Sequence, residues 1–552
     1  MSNQAAELLV DCLEAQGVDR VFTVPGESFL PVLDALRDRA SIQTVTCRQE
    51  GGVTFMACAD GTMTGRPGVA FVTRGPGATN ASIGVHVAHQ DSQPLVLFIG
   101  DVGREMRDRE GFQEVDFPAF FGPICKWAAR IDRADRIPEY IARAFATAMS
   151  GRPGPVVLAL PEDMLHEHGV EATVRPMVHR PAQPPCPDAL TAMMALIGDA
   201  AAPIAIIGGA GWHLKARTWF TQFAERLGLP VATAFRRQDA ISPASPVYAG
   251  NLGYGPNPLL VERIKSADLL LVVGARLGEA TTDGYTLITP DHPGQLVIHV
   301  HPDADELNSV YRADLAICAD PDEFAESAAL WDDHSVIQFD AGAQAHAEWL
   351  AWSTPGPASA DYRLDLNQAM ARVRDVVPAD AIICNGAGNF AGWWHRFWHY
   401  HGFPGQLAPT CGAMGYGVPA AVAAALRYPD RCVIAPAGDG DFMMNAQELA
   451  TAVQYGANLL VILFDNAAYG TIRMHQEREY PARVAATDLL NPDFAAMMQA
   501  FGGWGVRAET TADFAAALDD ALGRKGVKLI HCITDIEQLS AGGATVSALR
   551  RR

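Results

Sequence analysis

Cys432-Val433-Ile434-Ala435-Pro436-Ala437-Gly438-Asp439-Gly440, followed by Leu459-Leu460-Val461-Ile462-Leu463-Phe464-Asp465-Asn466, decides how this chain is read. Each apolar run has the length of a buried strand and ends in residues that favour a turn. Between them, Asn445-Ala446-Gln447-Glu448 has the form of a capping box opening a helix over 448–455. In a strand-helix-strand unit both parallel strands finish on the same sheet edge, so Asp439 and Asn466 are predicted neighbours. A carboxylate and an amide oxygen suit Mg²⁺, a hard cation that takes oxygen ligands and keeps phosphate oxygens among them. Gly438 and Gly440 let backbone N–H groups approach a phosphate at a helix N-terminus. The spacing predicts an anchor for a magnesium-bound diphosphate.

At 552 residues the chain is too long for one core and fits about three domains of ordinary size. Hydrophobic residues at 49% and charged residues at 19% describe a globular enzyme with ample core. A formal charge of −21, with no basic stretch to offset it, opposes nucleic acid and anionic membrane as partners. No apolar run approaches the length of about 20 residues needed to span a bilayer. Residues 2–17 alternate acidic and apolar positions like an amphipathic helix and lack the pattern of a signal peptide, so a cytoplasmic location is expected. The 10 cysteines are scattered singly without a C-x-x-C pair and read as reduced core residues. His86 and His89 form a pair near ligand spacing, and a pair without a third ligand is more often structural than zinc-binding.

Strand-like runs alternate with helical ones through three segments, an α/β pattern with parallel sheets. The expected domains span 1–166, 188–333 and 361–552, with proline-rich linkers between them. In the first, strands are expected at 21–24, 44–46, 69–73, 95–99 and 156–160; in the second, at 204–207, 269–273 and 296–300. Thr46-Cys47-Arg48-Gln49-Glu50-Gly51-Gly52 lies after a predicted strand and before a helix over 53–65, placing Glu50 near a helix start. An acid there would stabilise the helix dipole whatever else it does. Thr73-Arg74-Gly75-Pro76-Gly77-Ala78-Thr79-Asn80 reads as a tight strand-to-helix turn.

Gly438-Asp439-Gly440 with Asn466, together with Glu50 and this octet, resembles the enzymes that use thiamine diphosphate (ThDP) to decarboxylate or ligate 2-oxo acids. The resemblance implies three doubly wound parallel-sheet domains in series: pyrimidine-binding, central Rossmann-like and diphosphate-binding. It implies that Asp439, the Asn466 side chain and the Ala468 carbonyl hold Mg²⁺. The family often has Asn-Asn-Gly where this chain has Asp465-Asn466-Ala467. Glu50 would hydrogen-bond N1′ of the aminopyrimidine, whose 4′ nitrogen then removes the C2 proton of the thiazolium. Gly75 and Asn80 match the glycine turn of the pyrimidine domain. Met414, within Gly412-Ala413-Met414-Gly415, would hold the cofactor bent. Gly388, Asn389, Gly438, Gly440, Asp441 and Tyr469 would join the cofactor-binding set. Such enzymes form their sites between the first domain of one subunit and the third of another, which implies a homodimer or homotetramer.

The resemblance covers essentially the whole chain and is nearest to acetolactate synthase large subunits, in which one pyruvate loses CO₂ and its remainder attacks a second 2-oxo acid. Phe112-Gln113-Glu114 matches a stretch lining their active site, with Gln113 a candidate catalytic residue and Phe112 a pocket residue. Tyr469-Gly470-Thr471-Ile472-Arg473 through Asn491-Pro492-Asp493-Phe494 continues the match. Three departures stand out: Met474-His475 replaces a usual Gln-Trp of the acceptor pocket, Pro161-Glu162-Asp163 replaces Pro-Lys-Asp, and His301 occupies a position often acidic in a central domain that binds FAD. Arg276 and the turn Gly208-Gly209-Ala210-Gly211 are retained, so FAD is a possible further cofactor and Arg276 a candidate pocket residue. The alternatives are a simple 2-oxo acid decarboxylase of the benzoylformate or indolepyruvate kind, with His86, His89 or His475 as proton donor, and a non-catalytic ThDP-binding subunit. The presence of Glu50 argues against the latter, because binding alone needs no acid at N1′.

Overall fold

The computed structural model describes residues 4–209, 211–291, 293–331 and 338–551. Ala210 of the central turn and the expected domain boundary at 333 lie outside these, as do residues 1–3 and 552.

Three sheets of six parallel strands follow one another along the chain. The first runs, in spatial order, Gln43–Thr46, Arg20–Thr23, Gly68–Val72, Leu95–Asp101, Pro155–Pro161, Trp127–Arg130. The third repeats this topology with Gln406–Leu407, Ile382–Cys384, Val433–Gly438, Leu459–Asp465, Val527–Ile533, Trp504–Ala508. In both, the strand order is second, first, third, fourth, sixth, fifth. The central sheet runs Leu315–Cys318, Leu296–His301, Leu269–Val273, Pro203–Ile207, Val231–Thr233, Tyr248–Asn251, the order of a dinucleotide-binding fold.

The expected long strands are all present, because a parallel sheet covered on both faces needs continuous apolar runs. Leu95–Asp101, Pro155–Pro161 and Leu459–Asp465 are buried along their whole length. Trp127–Arg130, half-buried, and Leu315–Cys318, with a mixed pattern, are sheet-edge strands that the apolar-run criterion misses. The expected capping box does not form. Gln447 precedes the helix Glu448–Gln454 without a side-chain cap, and the Glu448 carboxylate turns elsewhere.

By packing, the chain forms two compact units. One comprises Met1–Pro181, Val418–Pro429 and Asn445–Ala457; the other comprises Ala182–Gly417, Asp430–Met444 and Asn458–Arg552. Two helices of the third segment, Gly417–Arg427 for nearly its whole length and Glu448–Gln454, therefore pack with the first sheet. In that unit Arg427 donates to both oxygens of buried Asp60 at 2.9 Å and to Asp19.

Helix Glu50–Thr64 lies directly on strand Gly68–Val72: a Cβ at Gly68 would sit 1.9 Å from the Ala57 carbonyl oxygen. Backbone cannot yield there, so Gly68→Ala should destabilise the fold by about 1–3 kcal/mol or more, read as a lower urea midpoint. Gly122→Ala, which meets nothing within 4 Å, should leave the midpoint unchanged. Equal midpoints for the two variants would contradict this packing.

His395 is buried, and burial pushes its ring down to about 3, so it is neutral in the fold. Unfolding restores the ordinary value near 6.5, and the unfolded chain gains a proton below that pH. The ring's contribution is full above about pH 6.5 and falls with decreasing pH by up to about 1.4 kcal/mol per unit. The stability difference between the native protein and His395→Phe should shrink accordingly between about pH 6.5 and 5. A difference constant over this interval would show that the ring is not held neutral.

Candidate active site

In an open α/β sheet, ligands bind beyond the strand C-terminal ends where strand order reverses. In the third sheet that point lies between Ile382–Cys384 and Val433–Gly438. A cavity of about 270 Å³ opens there, walled by Gly388, Asn389, Met414, Gly438 to Asp441, Asn466 and Ala468 to Ile472. Phe390, Trp393 and Phe464 close an apolar end. The predicted convergence of Asp439 and Asn466 is therefore realised within one unit.

Asp439 is 3% exposed at the start of a short helix, where its Oδ1 accepts the Gly440 N–H at 3.0 Å and its Oδ2 accepts from Asn491 Nδ2 at 2.7 Å. Burial pushes its carboxyl up to about 6, with the neighbouring Asp465 charge adding to the rise and the Asn491 bond opposing it. Asn466 Oδ1 accepts the Ala468 N–H at 3.2 Å, turning the chain at Ala467, whose φ is +53°. A glycine serves that conformation more readily than alanine. Tyr469 packs its ring on Gly440, where a Cβ would lie 2.5 Å from it.

Asp441 and Asn389 do more than line the wall. Buried Asp441 accepts the N–H groups of Gly415 at 2.9 Å and Ala387 at 3.1 Å, tying together the loops that carry Met414 and Gly388-Asn389. Burial raises its carboxyl to about 7. Asn389 donates its N–H to Thr471 Oγ1 at 3.1 Å and its side-chain amide to Met474 Sδ at 3.7 Å. Met474 thus adjoins a wall residue, although neither it nor His475 is among the cavity-lining residues. His475 is exposed and takes a hydrogen bond from Arg478 on its own helix. Arg276 is likewise not part of the wall; it pairs with Glu306 in the central domain at 3.2 Å.

The remaining candidates gather in the first unit. Glu50 is the first residue of helix Glu50–Thr64, whose N-cap Gln49 accepts the Gly52 N–H at 3.1 Å. Glu50 Oε2 accepts from Asn80 Nδ2 at 3.0 Å, bringing two predicted residues together. Gly75, at φ +45°, leaves room for the Gln113 backbone, which a Cβ would approach to 2.8 Å. Phe112 is 76% exposed beside it in sequence.

The turn before Glu50 is held by a residue whose role the sequence did not announce. Glu448 is fully buried; its Oε1 accepts the N–H groups of Arg48 and Gln49, each at 3.0 Å, and its Oε2 accepts the Thr451 hydroxyl at 2.7 Å. Asn491 and Asp441 were also not legible in these roles, because their partners are distant in sequence. Only the motifs containing them could have drawn attention to them.

The residues fit a magnesium diphosphate. The cradle is glycine where side chains would collide, and the buried Asp439 carboxylate, raised by burial and by Asp465, is one that a cation would restore to its charged form.

Residues 3–120, 190–327 and 386–532 match, respectively, the N-terminal TPP binding, central and C-terminal TPP binding domains of thiamine pyrophosphate enzymes. The chain is 34% identical to an acetolactate synthase large subunit of Parasynechococcus marenigrum, over 91% of this chain and 83% of that protein. It is 31% identical to the acetolactate synthase isozyme 2 large subunit of Escherichia coli, over 96% and 95% of the two chains. With acetolactate synthase of Bacillus subtilis the identity is 28%, over 97% and 94%. Three matched domains in order, with relatives aligned over nearly their full lengths, make this chain a member of the thiamine pyrophosphate-dependent enzymes, of acetolactate synthase-like kind.

Proposed function

We propose that the chain is a Mg²⁺-dependent carboligase that decarboxylates pyruvate or a related 2-oxo acid and transfers the remaining fragment to an acceptor 2-oxo acid. The observation that carries this reading is the pair of residue sets: Glu50 with Asn80 in one unit, Asp439 with Asn466 around a diphosphate-sized cavity in the other. The names of the relatives support the acetolactate synthase direction. Because the two sets belong to different domains, the family's arrangement would join them between subunits of a homodimer or homotetramer. Among the described residues no helix is long and apolar enough to cross a membrane. The acidic charge argues against nucleic acid, and a cytoplasmic location fits this composition.

When bound, ThDP supplies the carbon nucleophile and the electron sink. Asp439, Asn466 and the Ala468 carbonyl would hold Mg²⁺, and the glycines at 438 and 440 would admit the diphosphate oxygens. Glu50 would hold the proton at N1′, with Asn80 fixing which of its oxygens is free to do so. Met414 would set the bend of the cofactor, and Gln113 with Phe112 would face substrate. FAD belongs to this proposal only as a possible ligand of the central sheet, and no step is routed through it.

The second reading, a simple decarboxylase, needs a proton donor to release aldehyde. Of the three candidate donors, His86 and His89 lie on the helix Pro76–Asp91 of the first unit, and the exposed His475 is already engaged by Arg478 and poorly placed for that step.

Incubation with pyruvate decides between them: acetolactate is expected, and acetaldehyde as sole product would favour the decarboxylase. Glu50→Gln should keep Mg²⁺ and ThDP binding while slowing C2 hydrogen-deuterium exchange of bound ThDP by about 10²–10⁴-fold. An unchanged exchange rate would remove Glu50 from this role.

On the acceptor side, Met474-His475 lacks the indole that the family usually places there. One methylene is worth about 1–3 kcal/mol in an apolar pocket, so preference for 2-oxobutyrate over pyruvate as acceptor should be weak. Competition between the two, repeated with His475→Trp, tests this. Strong native selectivity for 2-oxobutyrate, or no change in the variant's product ratio, would show that these residues do not form the acceptor pocket.

A further inference from the structure

Asp465 is a departure of this chain, a carboxylate where the family often has asparagine, and it lies beside Asp439. Both carboxylates are largely buried, at 8% and 3% exposure. Two like charges in a desolvated site repel unless donors stand between them. One nitrogen does: Asn491 Nδ2 donates to Asp439 Oδ2 at 2.7 Å and to Asp465 Oδ1 at 2.8 Å. The other Asp465 oxygen is taken by His531 Nε2 at 2.8 Å, on the adjacent strand Val527–Ile533, and Oδ1 also accepts the Ala467 N–H at 2.9 Å. His531 is 1% exposed and is fixed edge-on against Phe494, with ring centroids 5.1 Å apart, and Phe494 against Phe442 at 5.4 Å.

This is the arrangement of an outer shell around a metal ligand. With Gly440 N–H on one oxygen and Asn491 on the other, Asp439 has a single side-chain orientation. Asn491 in turn is oriented because Asp465 accepts its second proton, and Asp465 because His531 and Ala467 hold it. We infer that Asn491 is a positioning residue for the metal ligand Asp439, and that Asp465 and His531 form the support that orients Asn491. The inference rests on the reading of Asp439 as a Mg²⁺ ligand. It also gives a role to Asn491-Pro492-Asp493-Phe494, which the proposed reaction leaves without one. Outer-shell partners of this kind govern metal affinity by about 10–100-fold.

The test uses full-length apoenzyme with saturating ThDP and Mn²⁺ as probe, free Mn²⁺ being read by electron paramagnetic resonance, far below the melting temperature. Asn491→Ala should weaken Mn²⁺ binding by about 10–100-fold while circular dichroism stays native. His531→Leu should weaken it as well, whereas His531→Gln, which keeps an N–H donor within reach of Asp465, should restore most of the affinity. Native Mn²⁺ affinity in Asn491→Ala, alongside lost binding in Asp439→Ala, would overturn the positioning role and leave the metal reading intact. Native affinity in Asp439→Ala would overturn the metal reading and the inference with it. Should Asn491→Ala not fold, the His531 pair decides: equal affinities of the Leu and Gln variants would refute the role.

Discussion

A carboxylate removed from water must be met by donors, and meeting it fixes whatever backbone carries those donors. Buried acids organise the loops of the candidate site in this way. Glu448 gathers the N–H groups of Arg48 and Gln49 and so sets the turn that delivers Glu50. Asp441 gathers those of Ala387 and Gly415 and so joins two glycine loops of the cavity wall. These loops are rich in glycine and would otherwise be free to move, since glycine loses more conformational freedom on folding than any other residue. A desolvated acid with backbone donors costs little as long as every bond is made, and a great deal if one is lost. The loops are therefore held by an all-or-none device rather than by packing alone.

The sheets explain why these loops are where they are. The first and third share one strand order, and in each the reversal point lies between the first and third strands. In the third sheet, Ala387 to Phe390 follow the first strand and Asp439 to Asp441 follow the third, so the reversal itself opens the cavity. In the first sheet the corresponding loops meet closely: Ser28 and Thr73 hydroxyls are 3.0 Å apart, and a Cβ at Gly26 would lie 2.5 Å from Thr73. The same topology thus yields an open crevice in one domain and a closed junction in the other. The difference lies in which residues follow the strands. Small residues and a turned acid leave space in the third domain, while Thr73 and Ser28 fill it in the first.

Much of this was legible in the sequence because parallel strands are written as unbroken apolar runs and because glycine marks close approach. Val433–Gly438 and Leu459–Asp465 were located almost to the residue, and with them the convergence of Asp439 and Asn466. Edge strands such as Trp127–Arg130 were not, since a strand buried on fewer sides carries a weaker apolar signal. The capping box at 445–448 misled for a related reason. Its glutamate has the right spacing for a local hydrogen bond, but the fold offers it two N–H groups from a segment some 400 residues away, |i−j| = 400 for Arg48. Local pattern cannot weigh a distant partner against a near one. The placement of two helices of the third segment with the first sheet is a further consequence of long-range packing that no boundary signal records.

The departures from the family pattern around Asn466 are best understood as one feature rather than several. Asp465 adds a charge, and Ala467 enters the left-handed region at φ +53°, a conformation unfavourable for alanine by roughly 1 kcal/mol. The two are coupled, because the Ala467 N–H is donated to Asp465 Oδ1 while the Ala467 carbonyl accepts the Leu489 N–H at 2.8 Å. An asparagine at 465 could accept the same bond but would not draw it as strongly, since a bond to an ionised acceptor is worth about twice a neutral one. Burial works against the Asp465 charge, yet the bonds from His531, Ala467 and Asn491 hold its carboxyl below the usual carboxylate range. The charge that strains the site is thus the same charge that keeps Ala467 in its turn, and the bonds from His531, Ala467 and Asn491 together keep it ionised. Removing the carboxylate of Asp465 or the ring of His531 would therefore disturb the other and the turn at Ala467 together.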